Sequence, residues 1–570
     1  MKCHVLLVCC LILINVTKNA HSTEIYKKPS VLIGILVRNK AHTLPYTLSF
    51  LEKLDYPKDR IALWIQSDNN VDNTINVLKT WLREQGDHYF LINATLDDKT
   101  HGIEDEKGIA DWSPVRFEHV IKLREEVLNY ARKIWADFIF MLDADVFLTN
   151  PNTLDSLISK NKTVVAPLLK SEGMYSNFWA GMTDDYYYKR TDEYEPILFK
   201  KTISCFPVPM VHSAILIDLR MKVSDLLTYD SNNLYNYDGP RDDIIAFALG
   251  AKNFDVDLHI CNDENYGFIT VPLESNDSIE HDHQQVVNIK LEMLGTDDQR
   301  SIPISKSMRR FVKYPKKDTL GVDNVYMINL LRRPERRQRM QSCFEELGVN
   351  AEIIDAVDGR TLNDSLLNSW GVKTMPGYKD PYHDRSMTMG EVGCFLSHYI
   401  VWNRIVEDGH KQAIVLEDDV KFEPYFRQKI RFLLQELDEH KKDWDLVYLG
   451  RKRMQKESEE WVGKSRYLVH AGYSYWTVGY LISAKGAKKL INARPLENLL
   501  PVDEYLPVMS DVHPRDDWKQ HFEDRKMIIL SVEPLVVFPT HYTGDSGYIS
   551  DTENSILHSL PKESHGREEL

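Results

Sequence analysis

The 570-residue chain is short of cysteine, of long hydrophobic runs and of basic charge. Lys and Arg number 70 against 85 Asp and Glu, a formal net charge of −15 at pH 7. That balance argues against a nucleic-acid binder, which needs a basic face to neutralise phosphate. No apolar run reaches the roughly 20 residues that a bilayer span requires, so no membrane span is expected. No Gly-rich P-loop pattern is present to cradle a phosphate. No low-complexity segment stands out. Seven cysteines occur, and three of them (Cys3, Cys9, Cys10) sit at the extreme N-terminus. Charged residues at 27% and hydrophobic residues at 43% are ordinary globular values, which excludes a collagen, a coiled coil and a wholly disordered chain. The length calls for at least two domains.

The two ends carry an address. Residues 1–22 place Lys2 before the apolar run Val5–Ile14 and end on the small residues Ala20 and Ser22. This is the pattern of a secretory signal peptide. The chain closes on Arg567, Glu568, Glu569 and Leu570, which resembles the Lys-Asp-Glu-Leu retrieval signal of the endoplasmic reticulum. Together they predict residence in the endoplasmic reticulum lumen and a retrieval receptor as one partner. Four cysteines remain after the signal: Cys205 and Cys261 in the first half, Cys343 and Cys394 in the second. An oxidising lumen suggests one disulfide in each half; four buried free thiols is the alternative. Glycosylation sequons stand at Asn93, Asn161, Asn276 and Asn363.

The remainder reads as two halves with one plan. Apolar runs at 31–37, 61–65 and 138–142 have strand length, and helical patterns lie between them. They end at Arg38, at Ser67-Asp68-Asn69 and at Asp143-Ala144-Asp145. The second half repeats this, with runs at 325–331 and 413–416 that end at Arg332-Arg333 and at Glu417-Asp418-Asp419. Continuous apolar strands alternating with helices predict α/β domains with mainly parallel sheets. The expected organisation is a signal peptide at 1–22, a domain at 29–300, a linker at 301–322 and a domain at 323–545. A polar tail at 546–570 completes it.

Ligands of such sheets bind beyond the carboxyl ends of the strands. Residues i and i+2 of an extended segment point the same way, so Asp143 pairs with Asp145, and Glu417 with Asp419. Two adjacent carboxylates repel unless a cation lies between them. A hard divalent ion suits oxygen ligands, and magnesium or manganese fits better than zinc. Such an ion can hold a diphosphate. A solvated turn is the bland alternative for one cluster; two clusters at matching places favour a metal–diphosphate site.

The pattern of apolar strand followed by Asp-x-Asp resembles nucleotide-sugar glycosyltransferases of the GT-A fold. In the second half VYMINLLRRPERRQRM (325–340), DAVDGR (355–360), MGEVGCFLSHYIVW (389–402), VLEDDVKF (415–422), SYWTVGYLISAKGAKKLI (474–491) and LPVDEYL (500–506) resemble family 25 glycosyltransferases. That family includes bacterial lipooligosaccharide galactosyltransferases and animal procollagen galactosyltransferases. The first half resembles the extra N-terminal domain of the animal members. The resemblance implies two tandem GT-A-like, Rossmann-like domains. It also implies a manganese-dependent, inverting transfer of galactose from UDP-galactose to hydroxylysine of unfolded procollagen or collagen-domain proteins.

Within the matched segments, Arg332 and Arg333 suit uracil or diphosphate oxygens, although five arginines crowd 332–339 and most are expected in solvent. Asp358 suits a ribose contact or a tight turn. Glu391 has capping-box spacing from Thr388, with a substrate contact as its second reading. His398 suits the core or a sugar contact. Glu417 and Asp419 are the expected metal ligands, Asp418 a sugar contact and His541 a further ligand. Asp503, then Glu504, are candidates for the base that takes the acceptor proton. Asp68, Asp143 and Asp145 would make a second site; a collagen-docking or homodimer surface is the other reading of the first half. A non-catalytic binding or adhesion protein of the same family, and a transferase of another UDP-sugar, are the competing functions.

Overall fold

The computed structural model describes residues 27–99, 102–235, 237–296, 301–381, 383–439, 443–542, 545, 548 and 550–552. The signal peptide and the Arg567–Leu570 signal lie outside these residues. The chain divides into two compact units. The first holds residues up to 170 and 176–268; the second holds 171–175 and everything from 269. The division therefore precedes the expected 301–322 linker. That stretch is not free chain: Met308, Leu320 and Val322 are buried, and Asp318 accepts from Arg427 at 2.6 Å.

In the first unit β1 (Val31–Val37), β2 (Ile61–Ser67), β3 (Leu91–Leu96) and β4 (Phe138–Leu142) form the parallel part of an eight-stranded sheet. Helices α1 (Leu44–Lys53), α2 (Thr74–Gln85) and α3 (Pro114–Lys133) make the crossovers. The remaining strands are β5 (Val164–Pro167), β6 (Cys205–Val208), β7 (Ala214–Asp218) and β8 (Leu258–Cys261), and the order is β3-β2-β1-β4-β7-β5-β8-β6. β7 runs antiparallel to both its neighbours. The sheet is thus mixed: the apolar runs are β1, β2 and β4, β3 is not among them, and β5 and β8 form a further parallel pair. β1 and β4 are buried almost throughout, because helices on both faces exclude water. Cys205 and Cys261 face each other across β6 and β8 and form a disulfide.

The second unit opens with α4 (Ile279–Gly295), whose Lys290 forms a buried ion pair with Glu346. Its sheet is built from β9 (Asn324–Asn329), β10 (Glu352–Asp355), β11 (Gln412–Leu416), β12 (Leu446–Arg453), β13 (Leu468–His470), β14 (Ser474–Ser483) and β15 (Ile529–Val532). The order is β10-β9-β11-β14-β12-β15-β13. β10, β9 and β11 are parallel; β14 is antiparallel to β11. Helix α5 (Pro334–Leu347) follows β9, and α6 (Met389–Glu407) precedes β11. Asn329 pairs with Asp355, and Met327 with Leu416. Three loops therefore leave one edge of the sheet side by side: 330–333, 356–360 and 417–419.

Cys343 and Cys394 are free thiols, which corrects the expected second disulfide. Cys394 packs against the core cluster under α6, to which Cys343 does not belong. Cys343 is buried on α5 instead, where burial pushes its thiol up to about 11. No helix among the described residues is long and apolar enough to cross a membrane.

The 356–360 loop lies flat on the first turns of α6. A Cβ on Gly393 would stand 2.4 Å from the Val357 carbonyl oxygen, and one on Gly359 2.4 Å from that of Met389. Neither backbone can yield without moving the loop. Gly393→Ala is expected to cost about 1–3 kcal/mol, the usual range for overpacking, read as a lower denaturation midpoint at unchanged slope. A neutral result would mean that the loop is not held against the helix.

Candidate functional site

Glu417, Asp418 and Asp419 follow β11 at the carboxyl edge of its parallel strands, and all three line a cavity of about 150 Å³. Backbone bonds fix the turn: Glu417 N–H donates to Val478 O at 3.0 Å, and Thr540 N–H to Asp419 O at 2.7 Å. Arg339 reaches from α5 to donate to the carbonyls of Asp418 and Val420, both at 2.8 Å.

The three acids have different partners. Asp418 accepts from Asn329 Nδ2 at 2.8 Å and from Arg336 at 3.1 Å. It ties the ends of β9 and α5 to the turn, so a sugar contact is not its first role. Glu417 Oε1 accepts from Thr477 Oγ1 at 2.6 Å and faces His398 Nε2 at 3.4 Å. Burial raises the Glu417 carboxyl, but the His398 and Thr477 bonds outweigh it and hold it below the ordinary value. Asp419 has no such help. Its Oδ1 is buried with no hydrogen-bond partner. Burial, then Glu417 and Asp418, push its carboxyl up to about 7.

That orphaned oxygen is the test of whether a cation fits. A buried acceptor without a donor costs about 1–3 kcal/mol, and a hard divalent ion shared with Glu417 would relieve it. The first unit offers a contrast. Asp143 is paired with Arg124 at 2.9 Å, and Asp145 with Lys40 at 2.9 Å. Arg124 also donates to Asp243. Asp68 accepts from His119 at 3.0 Å, and from Gln66 and Asn69. Asp143 and Asp145 thus each already have a cation of the protein as partner.

His398 is 1% exposed and lies inside a relay. Trp402 Nε1 donates to Tyr480 Oη at 3.0 Å, and Tyr480 lies 2.8 Å from His398 Nδ1. Tyr480 has one hydrogen, and Nδ1 is its acceptor; Nε2 then carries the proton and points at Glu417. The histidine is both a satisfied core residue and a cavity wall. Cys394 Sγ, His398 and Glu417 lie within 4.8 Å of one another. His541 follows Thr540 and stacks on Tyr548, which lines the cavity, with ring centroids 5.1 Å apart.

The arginines are not idle, which corrects the expectation of a solvated run. Arg332 donates to Asp358 at 2.8 Å and to Asp551 at 2.6 Å. Arg333 holds Asp551 in a bidentate pair at 2.8 and 2.9 Å. Arg336 bridges towards Asp418, and Arg339 is buried. Asp358 also accepts from Arg360 N–H at 3.0 Å, so the turn reading holds for its Oδ1. Glu391 completes the capping box with Thr388 and pairs with Arg385; both its oxygens are taken. Of the sequons, Asn161, Asn276 and Asn363 are exposed, Asn93 is half-buried on the edge strand β3, and Asn363 also caps a helix through Leu366 N–H.

Asp503 and Glu504 begin helix α7 (Val502–Met509) and separate in role. Glu504 is 2% exposed. It accepts from Tyr473 Oη at 2.9 Å and Tyr475 Oη at 2.6 Å, and faces His513 Nε2 at 2.8 Å. With its oxygens filled it is a pillar and not a base, and that candidate is withdrawn. Asp503 is half-buried. Burial, then Glu504 and Glu391, push its carboxyl up to about 8. Arg336, Asn329, Thr477, Tyr480 and Asp551 were not singled out from the sequence. Arg336 lay hidden among like neighbours, Asn329, Thr477 and Tyr480 lie within matched segments that give them no separate role, and Asp551 lies in no motif.

The raised Asp503 makes a signed prediction. The unfolded carboxyl ionises near 4 and the folded one near 8. Between those values the folded state holds the extra proton, so stability falls as pH rises. Asp503→Asn removes this dependence. Its thermal midpoint should exceed the parent's at pH 8 and match it near pH 4. An equal or lower midpoint at pH 8 would show that the carboxyl is not held protonated.

Comparison with known proteins gives the family. Residues 28–290 match "Glycosyltransferase family 25, N-terminal domain", and residues 322–506 match "Glycosyltransferase family 25 (LPS biosynthesis protein)". A "Glycosyltransferase 25 family member" of Aedes aegypti is 49% identical over 548 residues, covering 95% of this chain and 90% of that one. "Procollagen galactosyltransferase 1-A" of Xenopus laevis is 48% identical, with 93% and 86% covered. "Procollagen galactosyltransferase 2" of Homo sapiens is 45% identical, with 93% and 84% covered. A chain that matches both domain families, and relatives at these identities along nearly its whole length, belongs to glycosyltransferase family 25.

Proposed function

We propose that the second unit transfers galactose from UDP-galactose to hydroxylysine of unfolded collagen chains, with inversion, in the lumen of the endoplasmic reticulum. The single observation that carries the reading is the buried, unpartnered Asp419 oxygen beside Glu417 at the strand edge. The names of the relatives supply the sugar and the acceptor class. The signal-peptide pattern, the Arg-Glu-Glu-Leu end and the Cys205–Cys261 disulfide support a luminal address.

Glu417 and Asp419 would hold manganese, whose charge when bound offsets that of the departing diphosphate. His398 and Thr477 hold the Glu417 carboxylate in place. Asn329 and Arg336 hold Asp418 and, through it, the turn. Asp503 acts as the base in its ionised form, whose fraction grows as pH rises towards 8: that carboxylate takes the hydroxyl proton of the acceptor as the new bond to the sugar C1 forms and the bond from C1 to phosphate breaks. Glu504, locked by two tyrosines and His513, fixes the helix turn that presents Asp503.

The test is UDP release by the full chain with UDP-galactose, manganese and a hydroxylysine-containing collagen peptide. Glu417→Ala/Asp419→Ala should abolish turnover, and Asp143→Ala/Asp145→Ala should leave it within about tenfold of the parent. Asp503→Asn should lower kcat by a factor on the order of 10²–10⁴, the usual worth of a general base. Loss confined to the first-unit variant would move the site. A parent without peptide-dependent turnover on any UDP-sugar would favour a binding protein.

A further inference from the structure

Tyr548 and residues 550–552 lie against the second-unit site. Tyr548, Ser550, Asp551 and Thr552 line the same 150 Å³ cavity as Glu417, Asp418, Asp419 and His398. Thr388 Oγ1, at the start of α6, donates to Thr552 O at 2.6 Å. The Tyr548 ring stacks on His541, and burial pushes its hydroxyl up to about 12.

Asp551 sits among three guanidinium groups. Arg332 reaches it at 2.6 Å, Arg333 grips both oxygens, and Arg336 stands 3.7 Å away. The side chain is 12% exposed. Arg332 is shared with Asp358 and Arg336 with Asp418, and the bidentate guanidinium fork that grips Asp551 fits phosphate as well as carboxylate. Arg336 also touches Asp418 at 3.1 Å, so the cluster adjoins the acids that would hold a cation. A diphosphate that used these guanidinium groups would have to take the place of the Asp551 carboxylate.

We infer that Asp551 is an internal stand-in for a diphosphate: its carboxylate occupies the Arg332–Arg333–Arg336 cluster in the free protein, and a nucleoside diphosphate binds by displacing it. The inference rests on the reading of the second unit as a nucleotide-sugar site. Exchange of one carboxylate for a diphosphate on three cations favours the ligand, while Asp551 sets a threshold for donor entry. Binding then proceeds from the fraction of molecules in which the cluster is open, and apparent affinity falls by that fraction.

The test is calorimetric titration of the full chain with UDP in the presence of manganese. Asp551→Asn keeps the side-chain volume and removes the charge. It should bind UDP about tenfold more tightly than the parent, the factor for a cluster closed nine-tenths of the time. In the parent, UDP should speed amide hydrogen exchange at residues 550–552. Equal or weaker UDP binding by the variant, or slower exchange on binding, would overturn the inference and leave the donor reading standing. No UDP binding by either protein would overturn the donor reading, and the inference with it.

Discussion

The site depends on three consecutive carboxylates crowded at the end of one strand, Asp418 buried and Glu417 and Asp419 half-buried. β11 is buried, and the chain has no freedom to carry its next residues into solvent before the turn is fixed by Val478, Thr540 and Arg339. Burial raises the cost of every charge there. The protein spends one arginine and one asparagine on Asp418, and a histidine and a threonine on Glu417. No hydrogen bond reaches Asp419 Oδ1, and Arg336 and Arg339 act on that carboxyl only as more distant charges. The uneven provision leaves the cluster short of positive charge at one point, and that point faces the cavity.

The first unit shows the other solution to the same problem. It carries Asp143 and Asp145 at the equivalent strand end, yet Arg124 and Lys40 sit on them at ion-pair distance. Arg124 is fully enclosed, and its charge is held by Asp143 and Asp243 against the cost of burial. A site neutralised by its own side chains has little to gain from a metal ion. Identical acidic spacing thus leads to two electrostatic outcomes. The difference lies in residues distant in sequence from the acids.

The legible part of this protein was local. Buried parallel strands write themselves as unbroken apolar runs, and β1, β4 and β11 begin or end within a residue of those runs. The i, i+2 acids and the Thr388–Glu391 box were equally visible, because their geometry is set within four residues. The illegible part was made by contacts across the chain. β14 enters the sheet antiparallel between β11 and β12, and no run announces the reversal. Glu504 looked like Asp503 until Tyr473, Tyr475 and His513 closed on it. Cys343 and Cys394 counted as a pair but belong to different packing environments. Asp551 carries no motif at all; its meaning comes from arginines more than two hundred residues earlier.

The central claim is that the Glu417–Asp419 turn, and not the Asp143–Asp145 turn, is where charge is missing. The most direct measurement is the anomalous scattering of manganese in crystals of the full chain grown with manganese and UDP. The account predicts a peak between the Glu417 and Asp419 carboxylates. A peak between Asp143 and Asp145, with none beside Asp419, would contradict it.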